Sequence, residues 1–264
     1  MQTKRFIYWF NGWWIRMNPT LVLLKRNLFA IKRDLFSNLL LYILFPLMIH
    51  MFILIPLSKI IFLDIKFFIW SSSGLLFVCS GYLSFYESMH RFQKIRFETK
   101  QLDVYIRTPI SNMHILLFNI LTGIILGTSQ LLIGILFLIW LNNIIFNILT
   151  IILLITQVLP VIILMSTLGT ILGSIVQKNA TSILINILIF LFMTFGVGGF
   201  IPLALFPTMY IEIISIIPLT GLLQNIQKII HNDAISILNI FLTLFVSVVL
   251  YLFNLVYSYK YFKK

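Results

Sequence analysis

Long apolar runs separated by short polar breaks organise this chain. By hydropathy the runs fall near Ser37 to Leu57, Phe67 to Tyr86, Ile115 to Leu141, Ile148 to Ser174, Thr181 to Leu203 and Ile237 to Tyr257. Each is long enough to cross a hydrocarbon core of ~30 Å as a helix. Strands of a membrane barrel would read as short alternating segments rather than continuous apolar runs. The pattern therefore predicts an all-α integral membrane protein with six transmembrane helices. Before the last span, residues 203–217 are apolar but short, open on a proline-broken portion and contain Glu212. They predict a re-entrant segment that dips into the membrane without crossing it.

Ahead of the first span the period changes. Leu21, Leu24, Leu28, Ile31 and Leu35 fall on one helical arc ~80° wide, with Lys25, Arg26, Lys32 and Arg33 beside it. Trp9, Trp13 and Trp14 precede it. This is the pattern of an amphipathic helix lying flat on the inner leaflet, within a cytoplasmic N-terminal segment covering residues 1–36. A simple anchor and a part that transmits force are equal readings of it. Residues 37–264 form the transmembrane domain.

Charge orients these elements. The chain has 264 residues, is 60% hydrophobic and only 10% charged, and carries a net charge of +12. With six spans, sixteen of its 19 Lys and Arg residues lie on one side; Lys59, Lys66 and Lys228 lie on the other. Positive residues stay inside, so both termini and the polar segment 87–114 are expected in the cytoplasm, with the spans in the inner membrane. A seventh span would carry Lys260, Lys263 and Lys264 outside. Basic residues that flank spans face membrane lipid, and no soluble basic domain is present to bind nucleic acid.

Candidate chemistry is sparse. Cys79 is the sole cysteine and the four histidines are scattered, so neither a disulfide nor a zinc site is expected. Among ionisable side chains only His50 lies well inside a span, and Glu87 sits at an inner edge. Ion-coupled carriers usually bury carboxylates to bind the coupling ion. No paired carboxylates, Ser/His/Asp or Cys/His arrangement marks the membrane surface. Gly196 to Gly199 read GVGG without the Lys-Ser or Lys-Thr of a phosphate loop. The chain is expected to catalyse no covalent step and to hold no metal or cofactor; if it moves a solute, another chain supplies the energy. His50 reads as a packing residue. Ser71 to Ser73 with Gly74 read as a site of close helix approach, or as the lining of a dimer-interface path.

One polar segment is longer than a turn requires. From Arg91 to Arg107 the residues favour helix, and Thr108-Pro109 ends it and can cap the next. A helix near 96–107 followed by a hard corner makes a rigid protrusion. Phe97, Leu102, Tyr105 and Ile106 suit a partner's groove, while Glu98, Lys100, Asp103 and Arg107 suit orientation within it. A solvated loop helix is the alternative on these residues alone.

The segment resembles the first cytoplasmic loop of the ABC-2 family, the permease subunits of ATP-binding cassette exporters. That family shows an acidic residue, then Leu-Glu, then Thr-Pro-x-Ser before the third span. Glu98, Leu102, Asp103, Thr108, Pro109 and Ser111 match it here. A second stretch is similar to the family's G-x-F-x-P-L-x-x-x-P and N-P-L-T through Gly199, Pro202, Leu203, Pro207, Pro218, Leu219 and Thr220. Lys100-Gln101 stand where the family usually has Gly-Thr, and Ile217 stands in place of Asn. The resemblance extends over the whole chain and is to short permeases that export polysaccharides, lipid-linked glycans, nodulation factors or drugs. It implies a permease homodimer working with two separate ATP-binding cassette ATPase subunits, which would hold ATP and Mg. It makes Arg96 to Arg107 a coupling helix seated in the ATPase, with Tyr105 and Arg107 at the contact, and the N-terminal helix a connecting helix. It makes residues 203–217 an exit gate. An ATPase-independent carrier, a membrane-embedded enzyme and a structural scaffold are the alternatives.

Overall fold

The computed structural model describes residues 19–33, 35–61, 67–108, 110–142, 147–231 and 236–262, and among them every regular element is helical. Trp9, Trp13, Trp14 and Pro109 lie outside the described residues. The elements are α1 (Pro19–Arg33), α2 (Leu35–Ile49), α3 (Phe67–Gln93), α4 (Gln101–Ile106), α5 (Asn112–Asn142), α6 (Ile148–Ile175), α7 (Asn179–Leu191), α8 (Thr208–Ser215), α9 (Pro218–His231) and α10 (Ile237–Tyr261). Wider π-turns extend α2 through His50–Leu54 and on to Ser58, α3 through Lys94–Glu98, and α7 through Phe192–Gly196.

Five rods are long and apolar enough to cross a membrane: Phe67–Glu98, Asn112–Trp140, Ile148–Ile175, Asn179–Gly196 and Ile237–Tyr261. Tyr42–Ser58 is apolar but shorter, and α8 with α9 forms a pair bent by 98°. This architecture suits a membrane-embedded protein.

The centre of the bundle is its most polar span. In its most apolar window α3 is 78% buried inside the protein, whereas α10 is 17% buried and so presents its sides outward. Every residue of α3 from Ser71 to Gly81 is buried. The helix tolerates this because its hydroxyls are satisfied. Ser72 and Ser73 donate to the carbonyls of Ile69 and Trp70 one turn back, and Ser84 donates to the Ile162 carbonyl of α6 at 3.0 Å.

Glycine sets how closely α5 and α6 approach α3. Gly123 and Gly127 on α5, and Gly169 and Gly173 on α6, are each spaced by four and so share a helix face. A Cβ at Gly123 would collide with Ser88 Oγ, one at Gly169 with the Phe85 carbonyl, and one at Gly173 would lie 2.5 Å from the Met89 carbonyl. Backbone-to-backbone packing of this kind is how helices associate where lipid removes the hydrophobic drive between them. Polar contacts fill the seam. Ser88 Oγ and Ser166 Oγ are 2.8 Å apart, and Asn119 Nδ2 donates to the Ser88 carbonyl and to Thr170 Oγ1, both at 2.9 Å.

Proline breaks are absorbed in the same way. Pro46 inside α2 has no N–H to give the Tyr42 carbonyl, and Gln130 Nε2 of α5 donates to that carbonyl at 3.1 Å.

The helix boundaries depart from the hydropathy expectation at three places. The second span does not stop near Tyr86; with its π-turn it runs unbroken for 32 residues to Glu98. The expected separate helix at 96–107 is therefore the last turn of that rod, a break at Thr99-Lys100, and the short α4. The fifth span leaves helix at Gly196 rather than Leu203, because Gly198 takes φ +92° and Gly199 packs against Gly74 of α3, where a Cβ would meet the Gly199 carbonyl. Residues 203–217, expected to be re-entrant, form a 3₁₀ turn and α8, which bends by 98° into α9, begun by Pro218 at its first position.

The glycine seam predicts an asymmetric response to substitution. Gly169→Val meets backbone that cannot yield and lowers stability by at least about 1–3 kcal/mol. Gly134→Ala meets only the flexible Leu76 Cδ2, at 3.0 Å, and changes stability by less than about 0.5 kcal/mol. Unfolding of both variants in mixed micelles checks this.

Candidate functional site: a seated corner and a bent hairpin

The two motif-bearing segments lie at opposite ends of α3. At its C-terminal end the rod stops at Lys100, which holds a left-handed backbone with φ 50° and is the sole non-glycine residue to do so among those described. The chain then turns through α4 and enters α5 at Asn112. At about 1.5 Å per residue, the 32 residues from Phe67 to Glu98 span roughly 48 Å. That is longer than a hydrocarbon core of ~30 Å.

The corner is not a free loop. Leu102 and Tyr105 of α4 are buried together with Leu23 of α1, Phe92 and Ile95 of α3, Ile115, Leu116 and Phe118 of α5, and Phe262 after α10. This second apolar cluster draws on five elements and fixes the direction of the protrusion. Arg96 adds a cationic stack, its guanidinium 4.9 Å from the Phe97 ring centroid and 5.0 Å from that of Phe262. Thr108 Oγ1 donates to the Tyr105 carbonyl at 2.6 Å and closes the end of α4.

Helix α1 braces the seat. Thr20 Oγ1 and His114 Nδ1 share a hydrogen bond of 2.8 Å, Arg26 Nη2 donates to Gln101 Oε1 at 3.2 Å, and the Arg26 guanidinium lies 5.2 Å from the Tyr105 centroid. Burial raises the Tyr105 phenol above its ordinary 10.0, and Arg26 pulls it partly back, so the ring is neutral in its seat.

The matched residues thus divide. Glu98, Asp103, Arg107, Thr108 and Ser111 are exposed, whereas Leu102 and Tyr105 point inward. Sequence reading had offered Leu102 and Tyr105 to a partner's groove; they fill the protein's own. The apolar side chain that α4 presents outward is Val104, 60% exposed. The buried face of α1 lies beside its apolar arc rather than on it. Thr20, Leu23 and Asn27 pack inward, while Leu21 is exposed and Leu24 and Leu28 are half-buried. The bracing contacts of Arg26, Arg96, His114 and Phe262 had no sequence signal, since each joins residues far apart in the chain.

At the other end of α3, Gly199 and Pro202 are buried in irregular backbone held by Phe200 N–H donating to the Thr194 carbonyl at 2.9 Å. Tyr210 Oη on α8 donates to the Gly196 carbonyl at 2.7 Å, pinning α8. Leu203 is half-buried and Pro207 exposed. Pro218 is half-buried, Leu219 and Thr220 are buried, and Thr220 Oγ1 donates to the Ile214 carbonyl at 2.8 Å across the bend. Non-helical backbone is tolerated at membrane depth only where protein covers it, and here α3 covers it.

Among the described residues no three His, Cys, Asp or Glu side chains come together in a way that would hold a metal ion. Fold and site suit a helical protein of the membrane-embedded class, with a seated corner at one end of α3 and a bent hairpin at the other. No protein-family model matches the chain, and no curated protein is significantly similar to it.

The backbone at position 100 yields a direct prediction. Glycine adopts φ 50° without the cost of roughly 1–2 kcal/mol borne by a side-chain-bearing residue. Lys100→Gly is expected to hold or raise the unfolding midpoint, and Lys100→Val to lower it, although both remove the same exposed charge. Paired denaturation curves decide it.

Proposed function

We propose that this chain is the permease subunit of an ATP-driven exporter of the ABC-2 type, moving a lipid, glycan, polysaccharide or drug-like substrate across the inner membrane. The observation that carries the reading is the unbroken rod of α3. The most buried helix of the bundle is longer than an apolar core is thick and ends in a seated corner with exposed Glu98, Asp103, Val104 and Arg107. A force applied to that corner reaches the centre of the bundle directly. A partner whose arrangement changes with nucleotide biases such a bundle by binding one arrangement more tightly than the other.

Two further observations support it. The family's usual glycine falls at Lys100, where the backbone is left-handed. The second motif coincides with the bent hairpin α8–α9 at the far end of α3. In this reading the corner with α4 is the coupling element, α1 is the connecting helix at the cytoplasmic surface, and α8–α9 is the re-entrant exit gate. The working unit is a permease homodimer with two ATPase subunits, which hold ATP and Mg and carry out the hydrolysis; both termini of the permease are cytoplasmic.

The test is isolation of the tagged chain in mild detergent, followed by assay of the isolate for an ATP-binding cassette subunit and for ATP hydrolysis. Asp103→Lys inverts a charge on the exposed face and is expected to reduce the associated ATPase about tenfold, with membrane insertion unchanged. A chain that transports in vesicles with no ATPase present, or whose ATPase content is indifferent to Asp103→Lys, contradicts the proposal.

A further inference from the structure

A cavity of about 420 Å³ opens between α1, the end of α3 and the turn that precedes α4. Arg26, Asn27, Arg91, Lys94, Thr99 and Gln101 line it, and none of its lining residues is acidic. Arg91 Nε donates to Glu87 Oε2 at 2.9 Å, which offsets one of the three cations. Among the described residues Arg26 bonds the neutral Gln101 amide and the Tyr105 side chain, and no described carboxylate lies within ion-pair distance of Arg26 or Lys94. Asn27 is 8% exposed, and its Nδ2 finds no hydrogen-bond partner among the described residues. A buried donor left unpaired is costly, and a buried amide beside uncompensated cations is a place where an acceptor belongs.

We propose that this cavity binds a phosphate group. The donors arrive from three separate elements, and a tetrahedral anion offers an oxygen to each, whereas a planar carboxylate has two. Against ~30 Å³ for a water molecule in the liquid, the cavity has room for the phosphate and for the substituent it esterifies. The group is either the headgroup of an anionic phospholipid or a free phosphorylated solute; both present the same oxygens. Bound there, it ties α1 to α3 and to the turn before α4, so occupancy stiffens the seat of the corner. The site stands whether or not the chain is a transporter subunit.

Cys79 supplies the readout, because it is the sole cysteine and is fully buried, so a fluorogenic maleimide reports unfolding of the full-length chain in detergent. Midpoints are measured at constant ionic strength with inorganic phosphate against chloride, and in mixed micelles of phosphatidylglycerol against a glycosyl diacylglycerol that has no phosphate. A saturable rise with phosphatidylglycerol alone identifies a lipid headgroup as the source; a rise with inorganic phosphate alone identifies a soluble one. Either supports the site. Lys94→Gln, at an exposed position, is expected to weaken the apparent affinity roughly tenfold. Asn27→Leu removes the unpaired amide, so the unliganded midpoint is expected to hold or rise while the ligand-dependent shift disappears. Absence of a shift in both arms, or shifts of unchanged size and affinity in both variants, overturns the proposal.

Discussion

Everything in this fold depends on how closely three helices can approach. In water, burial of apolar surface would hold α3, α5 and α6 together; among lipid tails that drive is absent, and contact must come from fit and from interhelical hydrogen bonds. Gly123 and Gly127, Gly169 and Gly173 remove the side chains that would keep the backbones apart, and Ser84, Ser88, Asn119, Ser166 and Thr170 bond across the gap. Individual hydrogen bonds of this kind average only about 0.6 kcal/mol in membranes. Their contribution is registration: the partners meet only when the helices are in one sliding position.

A locked core makes α3 a lever rather than a tether. Its N-terminal end is gripped by Gly74 against Gly199, and its other end continues into the corner, where the cluster around Leu102, Tyr105 and Phe118 fixes α4. The bent hairpin and the corner are thus joined by one continuous helix. Helix α1 packs chiefly against α5 where that helix leaves the corner.

The apolar runs showed where most of the long helices lie, and the polar segment 87–114 showed where the chain leaves the bundle. Hydropathy failed at helix ends and at helix faces, for separable reasons. The run from Thr181 to Leu203 stays apolar through GVGG, so composition gives no sign that helix stops at Gly196; the signal is conformational, in Gly198 and the prolines. The face of α4 was misjudged because the residues that seat Leu102 and Tyr105 come from other elements, α1, α3 and α5. On α1 the packed side is Thr20, Leu23 and Asn27, and the leucine arc is the more exposed one. The glycine and serine spacing of four on α3, α5 and α6 was present in the sequence and is the pattern that would have located the core.

The claim on which the mechanical reading stands is that the corner is fixed to the bundle. In a Cys79→Ser background, spin labels at Val104→Cys, exposed on α4, and Gln177→Cys, exposed just after α6, report the distance between corner and core by pulsed electron resonance. With the full-length chain in lipid nanodiscs, a seated corner gives one narrow distance distribution. A broad or multiply peaked distribution would mean that α4 moves independently of α3, and the lever would not exist.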